Sequence, residues 1–221
     1  MKTIVCIKEL GKAADLNALT EAVRISNEVM AVTMGPESAK IVAGEALARG
    51  ADNGVLITDK ALRDSDTLVT AKVLARAIEL SGDYDMILLG NESDDSRTAQ
   101  VGPMIAEFLG IEQITNVMEI TDGRAVKIMD GKKVTVKFNY PVLITVNKRI
   151  NEPDVFNMGG IFNDKDIKTL TLADLGIDPE NVGTSGSPTR ITGEYDAGLE
   201  TNGVWVNSQE LVEALKDERA I

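Results

Sequence analysis

Short apolar runs and helically spaced apolar positions take turns along the first hundred residues. Ile4-Val5-Cys6-Ile7 and residues 29–34, 54–58 and 86–89 are apolar runs stopped by glycine, proline or polar residues, the mark of strands buried on both faces. Between them Leu16, Leu19, Ala22 and Val23 fall at helical spacing, and residues 38–49, 67–80 and 98–109 continue in the same period. Gly35-Pro36 and Asp64-Ser65-Asp66 stand where helix starts need them. Strand and helix alternating four times predict right-handed βαβ units and a doubly wound, mainly parallel sheet of Rossmann-like α/β type, covered on both faces.

After Gly110 the period shortens. Residues 114–120, 125–129 and 133–138 alternate or nearly so, and Asp130-Gly131 is a tight-turn signal, so an antiparallel hairpin is added to the sheet. Residues 141–146 read as one more buried strand. From Lys148 the chain loses periodicity until a helix over 208–216, which divides it into an α/β domain over 1–150 and an extended C-terminal arm over 151–221. An arm of that length without a core of its own needs a surface to lie on, and we expect it to wrap a partner subunit.

Composition narrows the chemistry. Of 221 residues 43% are apolar, enough for one substantial core, and 35 acidic against 23 basic side chains give a net charge of −12. That charge repels polyanions and leaves no basic stripe for nucleic acid. The opening residues are too short in apolar length for a signal peptide and no later run reaches the roughly 20 residues of a membrane span, so a soluble, cytoplasmic chain is expected. The lone cysteine, Cys6, sits inside an apolar strand, as a small buried thiol does. There is no histidine, which removes Ser-His and Cys-His nucleophile pairs, histidine metal sites and histidine proton shuttles.

In an open α/β sheet the ligand crevice lies at the carboxyl ends of the strands where strand order reverses. Those ends are here Cys6-Ile7-Lys8 and Gly90-Asn91-Glu92. The segment Asp95-Ser96-Arg97-Thr98-Ala99-Gln100-Val101-Gly102 leads from a loop into a helix, whose free N–H groups and positive dipole end form a phosphate seat. Thr98 can add a hydroxyl, Arg97 a charge, and Gly102 keeps the packing surface low; adenine would lie near Thr33-Met34-Gly35. The same residues also fit a plain capped helix, with Asp94 and Asp95 as solvated carboxylates or, less readily, a metal pair. Gly-x-Gly-x-x-Gly and the Gly-Lys-Ser/Thr phosphate loop are both missing from the sequence.

The order of Lys8, Gly35-Pro36, residues 45–52, residues 90–103, Asn151-Glu152-Pro153 and Leu172-Ala173-Asp174-Leu175-Gly176 resembles the β (small) subunits of electron-transfer flavoproteins over nearly the whole chain. The resemblance implies an adenine-nucleotide α-hydrolase-like fold and an electron carrier rather than an enzyme. It implies a heterodimer with a larger α subunit that holds the redox FAD, with AMP or a second, bifurcating FAD in this chain and a donor such as an acyl-CoA dehydrogenase. Cofactor contacts would fall on Cys6, Lys8, Asn17, Met34, Gly35, Gly90, Asn91, Asp95, Ser96, Thr98, Ala99, Gln100, Val101 and Gly102, and partner contacts on Asn151, Glu152, Pro153, Gly159 and Gly160. No catalytic or metal-ligating side chain is implied. The chain departs from the family pattern in a short segment over 9–15, without an Asn-Pro pair, and in Phe162-Asn163-Asp164-Lys165-Asp166 where a lysine-rich stretch is usual. The alternative is a stand-alone adenine-nucleotide sensor of the universal-stress type, which lacks the long arm. A hydrolase or ligase of the same superfamily would need a glycine-rich pyrophosphate loop or a nucleophile with its base.

Overall fold

The computed structural model describes residues 1–8, 14–121, 123–153, 167–193 and 207–217. The expected partner contacts at Gly159 and Gly160, and the departures at 9–13 and 162–166, lie outside the described residues.

The four expected strand-helix units are present. They run β1 (Lys2–Cys6), α1 (Asp15–Ile25), β2 (Glu28–Met34), α2 (Lys40–Ala48), β3 (Asn53–Ile57), α3 (Thr67–Leu80), β4 (Met86–Gly90) and α4 (Val101–Leu109). They are followed by β5 (Glu112–Thr121), β6 (Arg124–Met129), β7 (Lys132–Lys137), β8 (Val142–Val146) and β9 (Ile167–Leu170). Among the described residues, nine strands form one sheet in the order β7-β6-β5-β8-β4-β1-β2-β3-β9. Pairs from β5-β8 through β3-β9 are parallel, and β5-β6 and β6-β7 antiparallel. The chain therefore winds outward from β1 in both directions, and the reversal falls between β1 and β4 as the sequence implied.

Alternation across the pleat gives the sheet two cores. Ile4, Cys6, Val32, Val55, Ile57, Ile87 and Leu89 face α3 and α4, while Val5, Ile7, Ala31, Met86, Leu88, Ile144 and Val146 face α1 and the α2 side. Helix α3 buries Val69, Val73, Leu74 and Ile78, with alanines at 71, 75 and 77 that let it lie close to the strands. Each fully buried Leu, Ile or Val contributes about 1.5–3 kcal/mol, which fixes these faces inward. Asp66 caps α3 by accepting the Val69 N–H at 3.0 Å, as its place in the sequence predicts.

Three elements differ from expectation. Helix α4 begins at Val101 rather than Thr98, because Arg97 (φ 49°) and Ala99 (φ 54°) take left-handed backbone that no helix can include. Helix α2 begins at Lys40 behind a 3₁₀ turn (Glu37–Ala39). The largest difference is in the expected arm: Ile167–Leu170 is the edge strand β9, and Leu170, Leu172, Leu175 and Val182 are buried in the core on the α3 side. Two short helices follow, α5 (Leu172–Leu175), opened by the capping box Thr171/Asp174, and α6 (Gly183–Gly186). These elements are too short to show a period, which is why the sequence pattern missed them.

Contacts divide the chain into a unit over Met1–Arg190 and a second over Ile191–Ile221. In the second, helix α7 (Ser208–Asp217) starts on a reciprocal cap, Glu210 N–H to Asn207 Oδ1 at 3.0 Å and Asn207 N–H to Glu210 Oε2 at 3.1 Å. Among the described residues, no helix is long and apolar enough to cross a membrane.

Candidate functional site

The carboxyl ends of β1 and β4 are tied together by one carboxylate. Asp15, first residue of α1 and 7% exposed, accepts the Lys8 N–H at Oδ2 (2.8 Å) and the Gly90 N–H at Oδ1 (3.1 Å). Gly90 is glycine because α1 arrives on top of it: a Cβ there would stand 2.6 Å from Asp15 Oδ1 and 2.9 Å from Asp15 N. The buried charge also acts on Cys6. Burial first, and the Asp15 carboxylate second, push the thiol up to about 12, so Cys6 is a neutral core side chain.

The next strand supplies a second set of struts. Thr145, 1% exposed on β8, donates its hydroxyl to Asn91 Oδ1 (2.9 Å) and accepts the Asn116 N–H (2.9 Å). Asn116, at φ 60° in the bulge of β5, accepts Asn147 Nδ2 at 2.8 Å. The Asn91 N–H donates to Val146 O at 3.0 Å, so the loop leaves β4 already fastened to β8. Gly102 settles onto the same threonine, where a Cβ would meet Thr145 Cγ2 at 2.5 Å.

Between these anchors the loop is folded by its own polar side chains. Asp95 pairs with Lys8 Nζ (2.5 Å) and Asp94 with Lys148 Nζ (3.1 Å), so both carboxylates are matched by a cation from a neighbouring strand end. The Lys8 hydrogen bond, then that of Ser93, with help from the Ser96 N–H and against some burial, holds the Asp95 carboxyl well below the usual range. The Ser93 and Ser96 hydroxyls meet at 3.1 Å, and the Arg97 N–H closes the turn onto Ser93 O (3.1 Å).

This arrangement divides the predicted contacts. The N–H groups of Lys8, Gly35, Gly90 and Asn91 donate to protein acceptors, Gly35 to Ile57 O at 3.0 Å, and are spent on the frame. By contrast, among the described residues no hydrogen bond engages the N–H groups of Thr98, Ala99, Gln100, Val101 and Gly102. Five successive donors, three before and two within the first turn of nine-residue α4, thus leave a nest of unengaged N–H groups at the positive end of the helix dipole, behind left-handed Arg97. Gln100 is steadied by Thr67, whose hydroxyl donates to Gln100 Oε1 at 2.9 Å. Met34 is half-buried against the α3 side, and Cys6 turns its side chain into the core, so at the end of β1 Cys6 offers only backbone.

Asn17 is engaged by the segment after β8. Its amide donates to Lys148 O (3.1 Å), Asn151 O (2.9 Å) and Asn151 Oδ1 (3.0 Å), and Asn151 Nδ2 returns bonds to Asn17 O (3.0 Å) and Glu21 Oε2 (3.1 Å). Asn17 thus holds the segment leaving β8. Glu152 and Pro153, just beyond, are exposed. Sequence reasoning missed Asp15, Thr145 and Asn116. The available signals were a carboxylate at a helix start and a threonine inside an otherwise apolar strand. Among the described residues no group of three or more metal-ligating side chains is assembled, and Asp94 and Asp95 are each matched with a lysine instead.

Comparison with known proteins adds an independent finding. Residues 8–175 match the family model described as electron transfer flavoprotein domain. The chain is 38% identical to an electron transfer flavoprotein subunit beta of Thermoanaerobacterium thermosaccharolyticum, over 94% of this chain and 86% of the relative. It is 42% identical to the subunit of the same name from Clostridium acetobutylicum, over 80% and 72%. It is also 33% identical to the caffeyl-CoA reductase-Etf complex subunit CarD of Acetobacterium woodii, over 94% and 86%.

Proposed function

The chain belongs to the electron transfer flavoprotein family, among its β subunits, and from that premise we propose that it is the small subunit of a heterodimer with an α chain, holding an adenine nucleotide in the nest at 98–102. The observation that carries the nucleotide assignment is the run of five free N–H groups at the start of α4, which matches the acceptor oxygens of a phosphate without any lysine contact. The frame around it supports this reading: Lys8 and Lys148 neutralise the two nearest carboxylates, so an anion approaching the nest is not repelled by Asp94 and Asp95.

Thr98 to Gly102 would hold the phosphate of AMP or of a second FAD, and the backbone ends of β1 and β2 at Cys6 and Met34 would border the adenine. Flavin, when bound, supplies the one- and two-electron chemistry, with FAD held mainly by the α subunit. This chain would bind through backbone N–H groups, while its side chains Asp15, Thr145 and Asn91 fix the loop that carries them. The described start of the arm, Asn151-Glu152-Pro153, would meet the α subunit, with Asn17 and Glu21 fixing its point of departure.

Co-expression with the α chain tests the reading. A yellow heterodimer is expected, and denaturing it to count flavin separates one FAD plus AMP from two FAD per heterodimer. A purified complex without flavin would sink the proposal. Self-association with ATP binding in the absence of any α chain would support the stress-sensor alternative.

A further inference from the structure

Charge is unevenly distributed over the sheet. The β6-β7 ribbon over 124–137 carries Arg124, Lys127, Lys132, Lys133 and Lys137 against one carboxylate, Asp130; of the chain's 23 cations and 35 acids, that leaves 18 against 34 elsewhere. Four of these cations are exposed and Lys127 is half-buried. Among the described residues none of the five lies in an ion pair, and Lys127 Nζ only approaches Thr115 Oγ1 at 3.4 Å. The acidic side chains of the adjacent strand, Glu112 and Glu119 on β5, are therefore not neutralising them.

The ribbon also ends the sheet. Among the described residues, strand β7 pairs with β6 on one side and with no strand on the other, which leaves its outer row of backbone N–H and C=O groups open to a further strand. At the tip, left-handed Asp130 (φ 51°) and Gly131 (φ 73°) close a tight turn, and beside it Ile128 and Met129 are 39% and 54% exposed.

Lysines on an edge strand deter pairing with like strands, and that role accounts for Lys132, Lys133 and Lys137. It does not account for Arg124 and Lys127, because β6 is flanked by β5 and β7 and needs no guarding. Nor does it account for two exposed apolar side chains at the same tip. We propose that the outer edge of β7 is a docking site for an extended acidic segment of a partner protein, which adds to the sheet as a further strand. Main-chain hydrogen bonds along β7 would supply affinity, and the five cations would select the sign of the incoming strand, rejecting neutral and basic ones. The occupant is a narrow segment rather than an anionic membrane, because a flat charged surface would also meet the carboxylates that dominate the rest of the chain. A segment one strand wide stays within about 8 Å of the ribbon, the range over which its charges act at physiological salt. This site is independent of the nucleotide nest and of flavin.

The test uses the full chain and a fluorescent, acetylated heptapeptide alternating glutamate and threonine, with a glutamine-threonine peptide as control. Anisotropy should report binding of the acidic peptide alone, weakening as salt rises. K132E/K133E should lower the affinity by about tenfold or more while K132R/K133R retains it. Amide exchange should slow along 132–137 in the acidic complex. The variants' unchanged amide spectra outside the ribbon would show that the fold is kept. The proposal is overturned if both peptides bind equally or neither binds, if K132E/K133E binds like the parent, if protection appears away from β7, or if phosphatidylserine vesicles bind the ribbon while the acidic peptide does not.

Discussion

Replacing Asp15 by asparagine probes the joint between β1, β4 and α1. Each carboxylate oxygen accepts a different backbone N–H, from Gly90 and from Lys8, in a site 7% exposed. Asparagine has only one acceptor oxygen, so its NH2 must face one of the two donors. One charge-assisted bond, worth about 1.5–3 kcal/mol, is lost, and stranding the facing N–H brings the expected cost of D15N to about 2–4 kcal/mol. For a chain of this length that corresponds to a fall in Tm of about 5–15 °C, measurable by circular dichroism of the isolated subunit. A second readout is independent of stability. Since the Asp15 charge is the smaller of the two causes that raise Cys6, the thiol of D15N should titrate below its parent value of about 12, followed by thiolate absorbance. A Tm within about 1 °C of the parent, with an unshifted Cys6, would refute the bridge as a strut.

Two further outcomes follow from buried groups. The folded thiol of Cys6 keeps its proton up to about 12 while the unfolded chain loses it in the ordinary thiol range, so the unfolded state binds fewer protons above about pH 9. Its contribution is therefore fully present below the ordinary thiol range and is lost as pH rises, by about 1.4 kcal/mol per unit, until the folded thiol ionises. Urea midpoints of parent and C6A, compared across that window, should show a shallower alkaline loss in C6A; parallel slopes would contradict the assignment. Thr33 Oγ1, on β2 at 2% exposure, is a buried hydroxyl without a hydrogen-bond partner among the described residues. T33V removes that hydroxyl at nearly constant shape and should stabilise the isolated subunit by about 1 kcal/mol, whereas destabilisation by a similar amount would mean that the hydroxyl is engaged.

The sheet's plan was legible in the chain because burial on both faces writes itself as unbroken apolar runs, and amphipathic helices as a period near four. Those signals located β1 to β4, α3 to the residue and the Asp130-Gly131 turn, and the order of units located the reversal of strand order between β1 and β4. The absence of histidine and the net charge of −12 likewise belong to the sequence alone. Tertiary structure decided the rest. Backbone in the left-handed region at Arg97 and Ala99 moved the start of α4 to Val101 and freed five donors, which no residue pattern announces because neither position is glycine. Contacts between residues distant in sequence assigned Asp15 to Gly90, Thr145 to Gly102 and Asn17 to Asn151. Strand β9, too short to carry a period, joined the sheet only because β3 offered it an open edge. Local patterning sets what each segment is; which backbone donors remain free for a ligand is settled only when every neighbouring acceptor has been placed.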